Sequence, residues 1–396
     1  MSIRRPRALS CLPLCLSLLL ATGSLPARAT PAPSPATEPG RWEPAKTYAL
    51  LVGILEWQDK SGLASFPQKD RQDKVLQDQF LANGVPADHL VYLSDKAATG
   101  DAIRQAWTRL ATQAGPGSTL IFYFAGHGLQ YDGRTYLANY DVNSERPDAN
   151  GIGMGTLTET LAAHWHGDRL LLLADCCHSG AMTEVVRAEA QRGKKAACLT
   201  SSTATNTSTG KWTFTEALNR LLSGDRRTDL DRDKRITFQE ADTYVHREMK
   251  YGDDQLADAF RSPGFAPGFV LRGVNPDQVL PASLPGQRWK AGDYAECLAE
   301  SKWWRVQVLA AQPTGTWVHY IGWADKWDAW VGADRLRPVA ESHFAAGQTI
   351  SAEWEDKWYA AKIIKASENF FYFIHYDGYD DACDEWVTAA RIKAKP

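Results

Sequence analysis

Five short runs of apolar sequence, 48–55, 89–93, 119–124, 170–174 and 196–200, alternate with segments whose apolar residues recur at helical spacing, 73–81, 102–111 and 155–165. Short continuous apolar runs suit strands of a sheet covered on both faces. Strands separated by helices imply right-handed βαβ units. The expected class is α/β, a mainly parallel sheet with helices on both faces. The Asp132-Gly133 pair, between Leu129 and Leu137, reads as a hairpin turn. This block is expected over 46–273, after a Pro- and Ala-rich linker at 30–45 and before a second linker at 274–286 containing Pro276, Pro281 and Pro285.

At 396 residues the chain has room for more than one domain, and the remainder holds a repeat. Lys302-Trp303 recurs 55 residues later as Lys357-Trp358. His319-Tyr320, Gly322 and Trp330-Val331 recur 56 residues later as His375-Tyr376, Gly378 and Trp386-Val387, so the second copy has one extra residue. Short alternating strands with turns fit two small SH3-like β-barrels, over 287–340 and 341–396. Most of the 15 tryptophans lie here.

Two polar motifs stand at ends of expected strands. The third runs into Gly126-His127-Gly128, and the fourth into Asp175-Cys176-Cys177-His178-Ser179-Gly180. Carboxyl ends of strands are where open α/β sheets place their sites. A thiol and an imidazole brought together there can give a thiolate that attacks a peptide carbonyl. A lone buried His or Cys is more often packing, but packing does not account for two glycine-flanked polar motifs at two strand ends.

With His127 and Cys177 separated by 50 residues, as caspases space theirs, the block resembles a caspase-fold peptidase domain of clan CD. It is nearer the metacaspase and orthocaspase branch, because Asp-x-Cys-His-Ser-Gly replaces the Gln-Ala-Cys of animal caspases. The resemblance implies Cys177 as nucleophile, since that cysteine directly precedes His-Ser-Gly; Cys176 is left as a small apolar strand residue, though adjacency alone does not decide. His127 would act as general base and then acid. Backbone N–H groups of Gly128 and Cys177 would form the oxyanion hole. The resemblance places Asp175 in the S1 pocket, where a carboxylate would pair with Arg or Lys at P1. Asp73, in Arg71-Gln72-Asp73-Lys74, is expected to line the same pocket, its other reading being a cap for the following helix. The chemistry requires no cofactor.

From Asp229 the sequence follows the EF-hand pattern, with Asp229, Asp231, Asp233 and Glu240 at loop positions 1, 3, 5 and 12 and Ile236 at the apolar position 8. Lys234 stands where the loop wants glycine. Calcium is the expected ligand, a solvated charged loop the alternative. The repeats resemble Tudor, Agenet or chromo-barrel modules, which hold methylated Lys or Arg in an aromatic cage. Candidate cage residues are Trp303, Tyr320, Trp323, Trp358, Tyr376 and Tyr379; the bland reading of such rings is barrel core.

Arg4, Arg5 and Arg7, the apolar stretch 9–20 and Ala27-Arg28-Ala29 read as a cleaved signal peptide over 1–29. The expectation is an exported protein, periplasmic or secreted, with no membrane span in the mature chain. A formal net charge of −3 without basic clusters argues against nucleic-acid partners. Five cysteines remain beyond the signal, an odd number that leaves at least one thiol free. Export makes a histone partner unsuitable, so the expected partners are a peptide or protein substrate and a peptide ligand of the repeats. The principal reading is an exported cysteine endopeptidase. A non-catalytic scaffold displaying the repeats is the alternative, and ligation through the same thioester a third.

Overall fold

In the computed structural model, which describes residues 40–339, 343–354, 357–367 and 371–394, the apolar runs form one central sheet. The expected signal peptide and residues 30–39 of the first linker lie outside the described residues. The strands are β1 (Thr47–Gly53), β2 (Leu90–Ser94), β3 (Thr119–Ala125), β4 (Arg169–Asp175), β5 (Lys195–Thr200) and β6 (Asp258–Arg261). Their order is β6-β5-β4-β3-β1-β2. The first five are parallel and β6 closes the edge antiparallel to β5. The hairpin around Asp132-Gly133 joins Gly128–Tyr131 to Arg134–Leu137, and both turn residues have positive φ, as a type I′ turn requires.

Alternation along each strand feeds two cores. Leu120, Phe122 and Phe124 of β3 meet α2 (Gly100–Gln113), α3 (Met154–His164) and α4 (Met182–Gln191) on one face, through Trp107, Leu157 and Val185. Ile121 and Tyr123 face the opposite layer, α1 (Gln72–Ala82), α5 (Thr213–Ser223) and α6 (Phe238–Asp253), through Phe80, Phe214 and Tyr244. Each of these apolar side chains contributes about 1.5–3 kcal/mol by leaving water. Burial on both faces explains the continuous apolar run that follows Thr119 in β3.

The repeat folds twice into the same five-stranded antiparallel sheet. In the first copy Tyr294–Ala299, Lys302–Gln312 and Gly315–Tyr320 form a meander completed by Ala329–Val331 and Leu336–Pro338. In the second, Thr349–Trp354, Lys357–Ala366, Phe371–Tyr376, Glu385–Thr388 and Ile392–Ala394 take the same places. Both long strands carry a register shift at the equivalent point, Val308/Ala310 and Ile363/Lys365. Such a bulge bends the strand and lets a small sheet curl upon itself. Each curled sheet encloses its own core, around Val306 and Val318 in one and Ile363 and Ile374 in the other.

Candidate active site

The parallel pairing of β3 and β4 ends at Ala125 opposite Asp175. His127 and Cys177 each stand two residues beyond that pair, so the sheet delivers both to one edge. Gly126 N–H donates to Asp175 O (3.3 Å), continuing the contact past the strands. Gly128 is required here by close approach: a Cβ on it would lie 1.8 Å from the carbonyl oxygen of Cys177.

The turn after β4 separates the two cysteines. Cys176 is buried in the core, its carbonyl accepting from Ser202 Oγ (2.9 Å), and burial drives its thiol far up. Cys177 is half-buried, and its Sγ accepts from Ser208 N–H (3.2 Å). Burial raises the Cys177 thiol, opposed by the backbone N–H groups of Ser208, of Cys177 itself and of Gly128. His178 takes a left-handed conformation (φ 57°) that redirects the chain just after Cys177, with its N–H bonded to Asn206 O (2.7 Å). All five described cysteines are free.

His127 lies between Trp57 and Phe66, ring centroids 4.5 and 4.6 Å away. Its Nε2 is 2.8 Å from Ala64 O. A carbonyl only accepts, so Nε2 carries the proton and Nδ1 of the neutral ring is the free base. Burial holds the imidazole below its ordinary range. The resting pair is thus thiol and neutral imidazole, and no hydrogen bond joins the two side chains.

Asp175, two residues before Cys177, lines a cleft of about 100 Å³ together with Leu55, Phe66 and Trp212. Its carboxyl is buried, accepts from Thr215 Oγ1 (2.6 Å), and is pushed up to about 7 by burial against its hydroxyl partners. Lys69 and Lys211 also line the cleft, Lys211 held by Asp253 (3.0 Å). The expectation for Asp73 is corrected. It is fully buried behind Gly53, held by Arg71 (2.7 Å) and Tyr92 OH (2.9 Å), and is not among the cleft residues. Nor does it act as an N-terminal cap, whose position is Arg71.

The EF-hand-like loop brings Asp229, Asp231 and Asp233 together, with one carboxylate oxygen from each within 4.8 Å of the others. Lys234 adopts the left-handed conformation (φ 69°) that the loop needs from glycine, and its N–H donates to Asp229 Oδ2 (3.1 Å). Asp229 Oδ1 is buried without a partner, which suits an oxygen awaiting a cation. Glu240 departs from the expected ligand set: it forms a capping box with Thr237 at the start of α6 and accepts from Leu230 N–H (2.8 Å).

The aromatic residues divide between box and exterior. In the second barrel Tyr359, Tyr376 and Tyr379 stand nearly perpendicular to one another. In the first, Trp304, Trp323 and Trp327 do the same in series, and Tyr320 OH meets Cys297 Sγ (3.5 Å). Trp303 and Trp358 fall outside both groups, a second correction. They face intrachain cations instead, Arg337 at 3.8 Å and Lys393 at 3.5 Å from the ring centroids. Strand alternation explains it, since adjacent residues point to opposite faces: Trp304 and Tyr359 face the boxes, and their neighbours cannot. Sequence reasoning also missed Trp354 and Glu385, which join the second box only across strands, and the Ser- and Thr-rich loop 203–212, which carries no motif.

Residues 72–186 match the metacaspase, peptidase C14 domain model, a span that includes His127 and Cys177. Residues 344–394 match the Tudor-knot model, described as the RNA binding activity-knot of a chromodomain. Among solved structures, the chain is similar to protein GSU0716 from Geobacter sulfurreducens at 18% identity and TM-score 0.42, covering 57% of this chain and 100% of that one. It is similar to the Drosophila initiator caspase Dronc at 9% identity and TM-score 0.34, covering 58% and 90%. The barrels are similar to AGDP1 AGD34 of Arabidopsis thaliana at 15% identity and TM-score 0.14, covering 26% and 81%. On the two family matches, the chain carries a metacaspase-type peptidase domain that includes residues 72–186, followed by a Tudor-knot domain at residues 344–394.

Proposed function

We propose that this chain is an exported cysteine endopeptidase that cleaves after Arg or Lys through Cys177 and His127, its barrels serving as a binding module. The observation that carries the reading is the placement of both side chains two residues beyond the paired strand ends Ala125 and Asp175. On substrate binding, the Cys177 proton passes to His127 Nδ1 as Sγ attacks the scissile carbonyl carbon. The carbonyl π pair moves onto oxygen, where N–H groups of Gly128 and Cys177 receive it; such a donor is worth about 2.7–4 kcal/mol in the transition state. Collapse expels the amine, which takes the proton back from Nδ1 and leaves a thioester. Water, deprotonated by the same nitrogen, then adds to the thioester carbon; collapse breaks the C–S bond, Cys177 Sγ regains the proton from Nδ1, and the acid leaves.

Asp175 is the proposed partner of a basic P1 side chain. Lys69 and Lys211 in the same cleft oppose it electrostatically. A panel of fluorogenic peptides differing only at P1 tests the P1 assignment. The expected order places Arg and Lys above Gln and well above Asp, and preference for Asp would overturn the assignment. Asp229, Asp231 and Asp233 would hold a calcium ion, which would supply structural order and no step of the chemistry. Export rests on the composition of 1–29. Among the described residues no helix is long and apolar enough to cross a membrane.

A further inference from the structure

The loop 203–212 passes three places in succession. Thr205 and Thr207 line a cavity of about 190 Å³ in the second barrel. Ser208 N–H donates to Cys177 Sγ. Residues 209–212 line the Asp175 cleft. The residues flanking the nucleophile divide in the same way, Asp175 lining the cleft and His178 the barrel cavity. The loop lies directly on the nucleophile turn, because a Cβ on Gly180 would fall 2.4 Å from Ala204 N. The barrel is fastened to it by Asn206, whose Nδ2 donates to Trp386 O (2.6 Å) and whose Oδ1 accepts from Trp386 N–H (3.0 Å).

The cavity is a box of rings. Tyr359 stands at 87° to Tyr376 and 88° to Tyr379, with centroids 6.1 and 5.8 Å apart, and Trp354 closes a further side at 6.1 Å from Tyr359. Trp354 and Tyr379 remain 48% and 46% exposed, so the box is open to solvent, while Tyr376 is buried. Several ring faces around one space attract a cation. Glu385 adds a carboxylate, but it already accepts from Tyr376 OH (2.8 Å) and from both terminal nitrogens of Arg391 (2.6 and 3.0 Å). The rings, more than net charge, set the preference.

We propose that this box is a subsite of the substrate cleft, holding a cationic side chain (Lys, Arg or their methylated forms) of the same polypeptide that is cut at Cys177. The inference rests on the peptidase reading and extends it: one substrate residue enters the cleft at Asp175, and a second, a few residues along, enters the box. An extended peptide advances about 3.3–3.6 Å per residue, and the box wall includes the residue next to the nucleophile. The first barrel meets the peptidase domain elsewhere, through Arg227 and Asp325, and takes no part.

The test compares peptides with a fixed Arg at P1 and either trimethyllysine, lysine or norleucine at each position on the two sides of the bond, with wild type and Tyr379→Ala. At one position the cation should raise kcat/KM about five-fold or more over norleucine in wild type, and Tyr379→Ala should abolish that difference while leaving a short P1-Arg fluorogenic substrate unaffected. Cleavage of the short substrate with no cation preference at any position would overturn the subsite and leave the peptidase standing. Loss of short-substrate turnover in Tyr379→Ala would also overturn it, placing the box in support of the loop instead. If wild type cuts nothing, affinities of the same peptides for Cys177→Ala protein read the box directly: cation peptides bound about five-fold tighter support it, and equal affinities overturn it. A short oligoribonucleotide binding at Tyr379 in place of the peptides would likewise overturn it.

Discussion

Two titrating side chains give the site a pH dependence that separates their roles. Burial lowers the His127 imidazole, so the acid limb expected for all substrates lies below the ordinary histidine pKa. Asp175 is raised to about 7, so its carboxylate forms only as pH rises through neutrality. For a P1-Arg substrate kcat/KM should therefore climb again through about pH 7, and for an otherwise identical P1-Gln substrate it should not. Asp175→Asn should remove the upper step and lower P1-Arg turnover without touching the acid limb. A shared profile for both substrates would show that Asp175 does not meet P1. At this scale the sequence was informative about identity and poor about environment. The motifs put His127 and Cys177 just past two strand ends, and those ends pair in register, whereas the pairing of buried Asp73 with half-buried Arg71 depends on a fold around Gly53 that no local pattern carries.

The strands that position the site were readable because burial on both faces gives each a nearly continuous apolar run, with polar residues such as Thr119, Arg169 and Asp175 confined to the ends. β6 escaped notice for the opposite reason: three half-buried residues and the exposed Arg261, Asp258–Arg261, give no apolar run, and they pair only because β5 presents a free edge. α4 and α5 were likewise not read from sequence, although both carry an apolar stripe into the core. The aromatic boxes were half legible, since the repeat marks the rings but strand alternation decides which of two adjacent ones faces inward. The loop from Asp229 to α6 makes its own prediction. Calcium should raise the melting temperature, because an ion bound only by the folded state stabilises it by mass action, and Asp229→Asn should remove that response in a thermal-shift titration. Release of Glu240 from its capping box to complete the coordination would cost about 0.5–2 kcal/mol, which favours weak binding. An unchanged melting temperature at millimolar calcium would leave the loop a capped turn.

Both barrels touch the peptidase block, by different means. Arg227 is buried with Asp225 and reaches Asp325 of the first barrel (2.9 Å), while Tyr294 stacks on Tyr251 and donates to Glu248 (2.8 Å). The second barrel is fixed by Asn206 beside the nucleophile. Arg227→Ala leaves Asp225 buried without its cation and should cost about 3–5 kcal/mol, seen as a lower midpoint in denaturant. Asp325→Ala, which removes a partly exposed acid, should cost far less. Equal losses would mean that the first barrel's attachment, and not the buried pair, supplies the stability. On the proposed function the two barrels would divide the labour, the first bracing the fold and the second opening onto the reaction.

The central claim is that Cys177, and not its neighbour, is the nucleophile served by His127. Labelling with a peptidyl-arginine chloromethyl ketone, in which a thiolate sulfur displaces chloride, tests it most directly when the adduct is located by peptide mass mapping. One adduct is expected on Cys177 in wild type and in Cys176→Ala, none in Cys177→Ala, and labelling slowed about 10²–10⁴-fold in His127→Ala. An adduct on Cys176, or labelling that persists in Cys177→Ala, would contradict it.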